Sequence, residues 1–125
     1  MNVPAELKYT ADHEWIKIDG KVGFIGVTDY AQGELGDVVF IDIDPDVEEI
    51  VKGESFGTIE AVKTVSDMYA PVDGKVLEVN SKLEDEPQLV NSDPYGEGWL
   101  IKVELSDLAQ LDELLSAETY SDQIA

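Results

Sequence analysis

At 125 residues the chain is the size of one domain. Its 8 basic residues, all lysine, face 28 acidic ones for a formal net charge of −20, which excludes nucleic-acid binding through phosphate neutralisation and makes anionic membranes poor partners. With no cysteine, disulfides, thiolate catalysis and zinc–thiolate sites are excluded as well.

The 43% apolar content suffices for a thin core. The longest apolar runs, such as Val38-Val39-Phe40-Ile41, are far shorter than the ~20 residues of a membrane span. Residues 1–15 carry no signal- or transit-peptide pattern. The expected location is therefore the cytoplasm, with a processed protein of the mitochondrial matrix as the alternative.

Residues 1–12 read as an irregular lead-in. Residues 13–27 alternate around Asp19-Gly20, a strong hairpin signal. Thr28 is placed to cap a short helix over 29–35, closed by Gly33 and Gly36. Val38 to Ile43 reads as a strand stopped by Asp44-Pro45, and 45–53 as an acidic connector. Glu54 to Val62 is a second strand and Tyr69 to Val79 a third, with a turn or sharp bend at Asp73-Gly74; the two stretches are expected to pair as arms of one hairpin spanning 53–79. Residues 80–98, with two prolines and two glycines, read as a long loop, and Trp99 to Leu105 as the last strand.

From Ser106 or Asp107 a final helical segment is expected over 106–124, with Leu108, Leu111, Leu114 and Leu115 on one face, Asp107 and Gln110 as a capping box, and a further short turn from Ser116. Short strands at turn-rich spacing, with no linker or tandem repeat, predict a single, mainly β domain over 1–125: an antiparallel sandwich or partly open barrel with short helices.

Catalytic chemistry finds little support. The one histidine, His13, has no serine in a nucleophile-elbow setting, and there is no arginine. Asp12-His13-Glu14 is a weak metal site, because neighbours on a strand point to opposite faces and cannot converge on one ion without partners from elsewhere. His13 reads as a structural hydrogen-bonding residue. No glycine-rich phosphate loop is present.

The informative stretch runs from Gly53 to Val76, with Lys63 in Glu60-Ala61-Val62-Lys63 at its centre. A lysine at a tight hairpin tip is offered to large partners with its stem extended. A group in amide linkage there gains a long tether on a rigid base, able to visit several sites at high effective concentration. The alternative is an ordinary solubilising lysine.

Nearly the whole chain resembles the glycine cleavage system H protein family. The blocks that carry the resemblance are Asp12-His13-Glu14-Trp15, Gly26-Val27-Thr28-Asp29-Tyr30-Ala31-Gln32, Leu35-Gly36-Asp37-Val38-Val39-Phe40, the Lys63 hairpin with Ser66-Asp67 and Ala70-Pro71, and Asn91-Ser92-Asp93-Pro94-Tyr95-Gly96-Glu97-Gly98-Trp99. The resemblance implies a hammerhead-type, barrel-sandwich hybrid fold and lipoate covalently bound to Lys63. It implies a carrier rather than a catalyst, expected to be a monomer. The carrier takes the aminomethyl group of glycine from a pyridoxal-phosphate-dependent glycine decarboxylase to an aminomethyltransferase. It is then reoxidised by a dihydrolipoyl dehydrogenase, having been loaded with lipoate by lipoate-attaching enzymes.

The resemblance further implies a cleft that shelters the loaded arm, with Glu14 and Asp67 at matching positions. Glu34 stands where some relatives carry a basic residue, so no basic contact is expected there. Trp15, Phe40, Pro71, Tyr95 and Trp99 are expected to serve packing. Val62 and Thr64 flank the lysine where biotin carriers usually have methionine, and Val62 stands where the lipoyl domains of 2-oxoacid dehydrogenases usually have an acid. Competing readings are an H-like lipoate donor for other enzymes and a non-covalent acidic adaptor. The acidic surface is suited to steering towards basic patches on partner enzymes.

Overall fold

A computed structural model describes residues 3–44 and 46–124. Pro45, expected to stop a strand, lies outside them. Strand β1 (Lys8–Tyr9) emerges from the expected lead-in and pairs with β2 (Glu14–Asp19). The alternating segment forms the expected hairpin of β2 and β3 (Val22–Val27), with Asp19 opposite Val22. Its two-residue loop is therefore Gly20-Lys21, one position later than the sequence suggests. Gly20 has a φ of 62° and takes the first central position, as in a type II′ turn.

Helix α1 (Asp29–Leu35) is capped as expected. The Thr28 side chain accepts from the Ala31 N–H, and Gly36, at φ 80°, ends the helix. Gly33 lies inside it.

Strand β4 (Val38–Asp42) follows, and the acidic connector holds a short strand, β5 (Glu49–Ile50). Next come β6 (Ser55–Ala61), β7 (Val65–Tyr69) and β8 (Gly74–Val79). The expected loop at 80–98 contains two single-turn helices, α2 (Lys82–Asp85) and α3 (Leu89–Ser92). Strand β9 (Ile101–Leu105) leads to a 3₁₀ helix (Leu108–Glu113) and then α4 (Ala117–Ile124).

The strands form two antiparallel sheets. The larger runs β1-β2-β3-β9-β8-β5 and the smaller β4-β6-β7, and neither closes into a barrel. The expectation that residues 53–62 pair with 69–79 fails here. β6 pairs with β7, Gly57 opposite Met68 and Glu60 opposite Val65, whereas β8 pairs with β9 and β5 in the other sheet. The hairpin thus spans 55–69. The chain leaves it at Ala70-Pro71-Val72, a bend just before the expected Asp73-Gly74, and crosses between sheets.

The terminal leucines do not make one helical face either. Leu108 to Leu111 lie in the 3₁₀ helix, and Leu108 is exposed. Asp107 caps it through the Ala109 N–H. Gln110 turns to Asp73, accepting from its N–H and donating to its carboxylate, so no capping box forms.

The alternation of β2 sets the layers, since adjacent strand residues face opposite ways. Ile16 enters the main core with Ile25, Ile59, Met68, Ile101 and Val103. Trp15 enters a second cluster on the other side with Leu7, Tyr9 and Tyr120. The Trp15 indole N–H donates to the Pro94 carbonyl at 3.0 Å, and its ring lies across Gly26, the residue opposite it in β3. A Cβ on Gly26 would fall 2.6 Å from the indole ring. Phe40, expected to serve core or loop packing, is nearly half exposed on β4.

Because the Trp15 ring occupies the space of a side chain at 26, Gly26→Ala is expected to destabilise the protein by about 1–3 kcal/mol. Urea denaturation, read as a lower midpoint at unchanged slope, measures this.

Candidate functional site

Lys63 lies at the hairpin tip, exposed, between Ala61 and Val65. Backbone bonds brace the tip: the Ala61 N–H donates to the Thr64 carbonyl at 2.8 Å and the Val62 N–H to the Asp37 carbonyl at 2.9 Å. The second bond ties the tip to the residue after the Gly36 cap. The Lys63 stem lies over that glycine, where an added Cβ would meet Cγ, Cδ and Cε at 3.4 Å. Two demands meet at Gly36: its left-handed φ ends α1, and its bare Cα leaves room for the lysine stem. Among the described residues Lys63 makes no ion pair.

A cleft of about 300 Å³ is bounded by three segments: Asp12, His13 and Glu14; Tyr30, Ala31, Glu34 and Leu35 of α1; and Ser66, Asp67 and Met68 of β7. Val27 and Ile59 add apolar lining. The strand that returns from Lys63 is therefore a wall of the cleft, and α1, whose end supports the lysine stem, is another. The two predicted cleft residues, Glu14 and Asp67, both line it.

Glu14 is 2% exposed. One carboxylate oxygen accepts from the Tyr69 N–H at 2.6 Å and the other from the Thr10 hydroxyl at 3.3 Å. Burial dominates and pushes its pKa up to about 8; nearby Asp12 adds to the rise, and the two hydrogen bonds oppose it.

Asp12, His13 and Glu14 all face this cleft, which corrects the expectation that strand alternation separates them. The strand begins only at Glu14. His13 has a φ of 66°, a left-handed turn that histidine tolerates better than most residues. Among the described residues no cluster suited to a metal ion is found. His13 makes structural contacts, as expected: Nδ1 lies 2.9 Å from the Tyr120 hydroxyl, and the ring packs at 4.8 Å on Tyr30. Burial lowers its pKa, while Asp12 and Glu34 oppose that shift.

The glycine cleavage H-protein family model matches residues 7–125. The chain belongs to the glycine cleavage H-protein family. It is 57% identical over 124 residues to the glycine cleavage system H protein of Staphylococcus saprophyticus, covering 99% of this chain and 98% of that one. Over 118 residues it is 60% identical to the corresponding protein of Carboxydothermus hydrogenoformans, covering 94% and 91%. The crystal structure of a glycine cleavage system H protein from Mycobacterium marinum superposes with a TM-score of 0.88 at 41% identity, each chain covered to 98%. The expected two-sheet fold is thus that of a solved H protein, and no helix among the described residues is long and apolar enough to cross a membrane.

The resemblance pointed to Lys63, Glu14 and Asp67 and, on α1, only to the position of Glu34; the rest of the α1 wall of this cleft it did not supply. Tyr30, Ala31, Glu34 and Leu35 recur at helical spacing after a capping threonine, the signal that one face of this helix is shared. Tyr120 was missed because its partners, His13 and Thr28, are 107 and 92 residues away.

The raised pKa of Glu14 makes stability depend on pH in a definite direction. Below 4.5 both folded and unfolded chains hold the proton. Between 4.5 and about 8 the unfolded chain has released it while the folded one retains it. Above that, the folded protein carries the full cost of a buried charge. Relative to Glu14→Gln, the wild type is expected to lose stability across this window, by on the order of a few kcal/mol. Parallel denaturation of both proteins at stepped pH measures the difference, and a constant difference would contradict the assignment.

Proposed function

We propose that this chain is the lipoyl-bearing shuttle of a glycine cleavage system, with lipoate in amide linkage on Lys63. In this reading it carries the aminomethyl group of glycine from the pyridoxal-phosphate-dependent decarboxylase to the aminomethyltransferase and is then reoxidised by dihydrolipoyl dehydrogenase. It is a carrier and not itself the catalyst. The observation that supports this best is the placement of Lys63 on a braced tip whose return strand lines the acidic cleft. Family membership points the same way.

The residues around Lys63 suit such a group. The amine is exposed, the stem is seated on Gly36, and a cavity lies between the two supporting elements. When attached, the lipoyl group supplies a reducible disulfide at the end of a long tether, able to take up and give up the aminomethyl group. The protein's part is to fix the base of that tether, offer it to successive enzymes, and shelter the cargo between visits. The rigid tip confines the tether's reach and so raises its effective concentration at each docked site.

Sheltering follows from the lining. Val27, Leu35, Ile59 and Met68 restrict water, and Asp12, Glu14, Glu34 and Asp67 favour a cation. A cationic amine seated beside Glu14 lowers its pKa, so the carboxyl gives up its proton and becomes the counter-ion. A charge-assisted hydrogen bond of this kind contributes about 1.5–3 kcal/mol. The Tyr69 N–H, already bonded to Glu14, keeps the carboxyl aimed while its charge changes.

Intact mass and peptide mapping of protein from lipoate-supplied cells test the proposal. One lipoyl group on the peptide containing Lys63, absent from Lys63→Arg, is expected. An unmodified Lys63 in cells with active lipoylation enzymes would defeat the carrier reading. Growth on glycine as one-carbon source after gene deletion then separates the shuttle from a lipoate donor: only loss of the shuttle abolishes it directly.

A further inference from the structure

The buried hydroxyl of Tyr120 links two walls of the cleft. It lies 2.7 Å from Thr28 Oγ1 and 2.9 Å from His13 Nδ1. Tyr120 and Thr28 are both fully buried. The tyrosine ring stacks on Tyr9 at 4.8 Å, nearly parallel. Helix α4, which lines no part of the cleft, thus holds the turn at His13 and the start of α1 together through one oxygen.

Donor counting sets the direction of these bonds. Thr28 Oγ1 already accepts from the Ala31 N–H as the helix cap. Among the described residues its own proton has one partner in reach, the Tyr120 oxygen. Were Tyr120 to donate to Thr28 instead, a fully buried hydroxyl proton would be stranded, and that is costly. Thr28 therefore donates to Tyr120, and Tyr120 donates to His13 Nδ1. A ring nitrogen that accepts carries no proton, which leaves the imidazole proton on Nε2.

We propose that Tyr120 is a positioning residue that locks His13 as the neutral Nε2–H tautomer, so that the imidazole in the cleft presents a hydrogen-bond donor rather than a second cation. The consequence for the cargo rests on the carrier reading above. A cation seated near Glu14 and Asp67 meets no repulsion from a neutral ring, whereas an imidazolium in the same cleft would compete for the same carboxylates. The charged and titratable groups around His13 are Asp12 beside it, Tyr30 and Glu34 from α1, Tyr120 from α4, and Glu14 and Asp67 across the cleft. Of these, Asp12 and Glu34 favour the imidazolium, so the hydroxyl relay and burial are what hold the ring neutral.

His13 is the only histidine in the chain, and its ring nitrogens can be read without ambiguity by long-range ¹H–¹⁵N correlation on the unmodified full-length protein. The wild type is expected to show an unprotonated Nδ1, a protonated Nε2 and a titration midpoint below that of a free imidazole. Tyr120→Phe keeps the stack on Tyr9 but removes the relay; a mixture of tautomers and a midpoint moved upward are expected. Thr28→Ser should retain the wild-type pattern and Thr28→Val should lose it, a second route should Tyr120→Phe fold poorly. A protonated Nδ1 in the wild type, or spectra unchanged in Tyr120→Phe and Thr28→Val, would overturn the assignment.

With the lipoylated protein charged with its cargo, Tyr120→Phe is expected to lose the carried amine to water about fivefold faster, the equivalent of one hydrogen bond. An equal rate would remove the role in sheltering. The spectra need no lipoyl group, so a failure of the Lys63 reading is seen separately.

Discussion

One hydrogen bond couples the two sheets at the place where function is proposed. Glu14 opens β2 in the larger sheet, and its carboxyl accepts the N–H of Tyr69, which closes β7 in the smaller one. Without it, the hairpin would still meet the main core through Ile59 and Met68, but by apolar contacts that set distance better than angle. A short bond to a backbone N–H sets direction. It fixes where β7 stands relative to the turn at His13, and therefore the width of the cleft between them. The same carboxyl is buried, so the protein keeps at this joint a group whose charge is costly.

Support for the lysine is organised differently. Glu14 acts through the return strand, whereas the tip is held from the other side by Asp37 and Gly36. These follow α1, and α1 begins at Thr28, which Tyr120 contacts. Lys63 is thus connected by a short chain of contacts to the C-terminal helix, although the two are far apart in sequence. The acidic surface adds little internal support. Among the described residues the two ion pairs, Lys52 with Glu113 and Lys82 with Glu97, are both solvent-accessible, where such pairs contribute little. Most carboxylates are left to the outer field, which salt screens over about 10 Å at 0.1 M.

What the sequence made legible was local. The β2–β3 hairpin declares itself by alternation, and α1 by a threonine before it and a glycine after it. The single error in the hairpin, a turn displaced by one residue, arose because Asp19 keeps its place in the ladder opposite Val22. Strand β7 was harder. Val65-Ser66-Asp67-Met68-Tyr69 buries only Met68, so no apolar alternation marks it as a strand. The apolar run after Pro71 attracted the strand assignment instead. The single-turn helices at 82–85 and 89–92 are held by long-range contacts such as Asn91 to the Val38 N–H and the Gly36 carbonyl, which no local pattern encodes. Lys63, Glu14 and Asp67 were reached through resemblance; their convergence on one cleft belongs to the fold.

The order of strands in the larger sheet carries a consequence for how the chain is made. Strand β9 sits in the middle of that sheet, between β3 and β8, although it comes last of all the strands. The smaller sheet uses only residues 38–69, a stretch that is complete before β8 and β9 are reached. Long-range pairing is the slow part of forming a β protein, because loop closure must precede the contacts that reward it. A growing chain can therefore pair the hairpin bearing Lys63 while β3 and β8 still lack their shared neighbour. The framework against which the hairpin docks is completed only when residues 101–105 have left the ribosome. The hairpin's shape is encoded early and its setting late, so a chain cut short before β9 would display the lysine without the sheet that orients it.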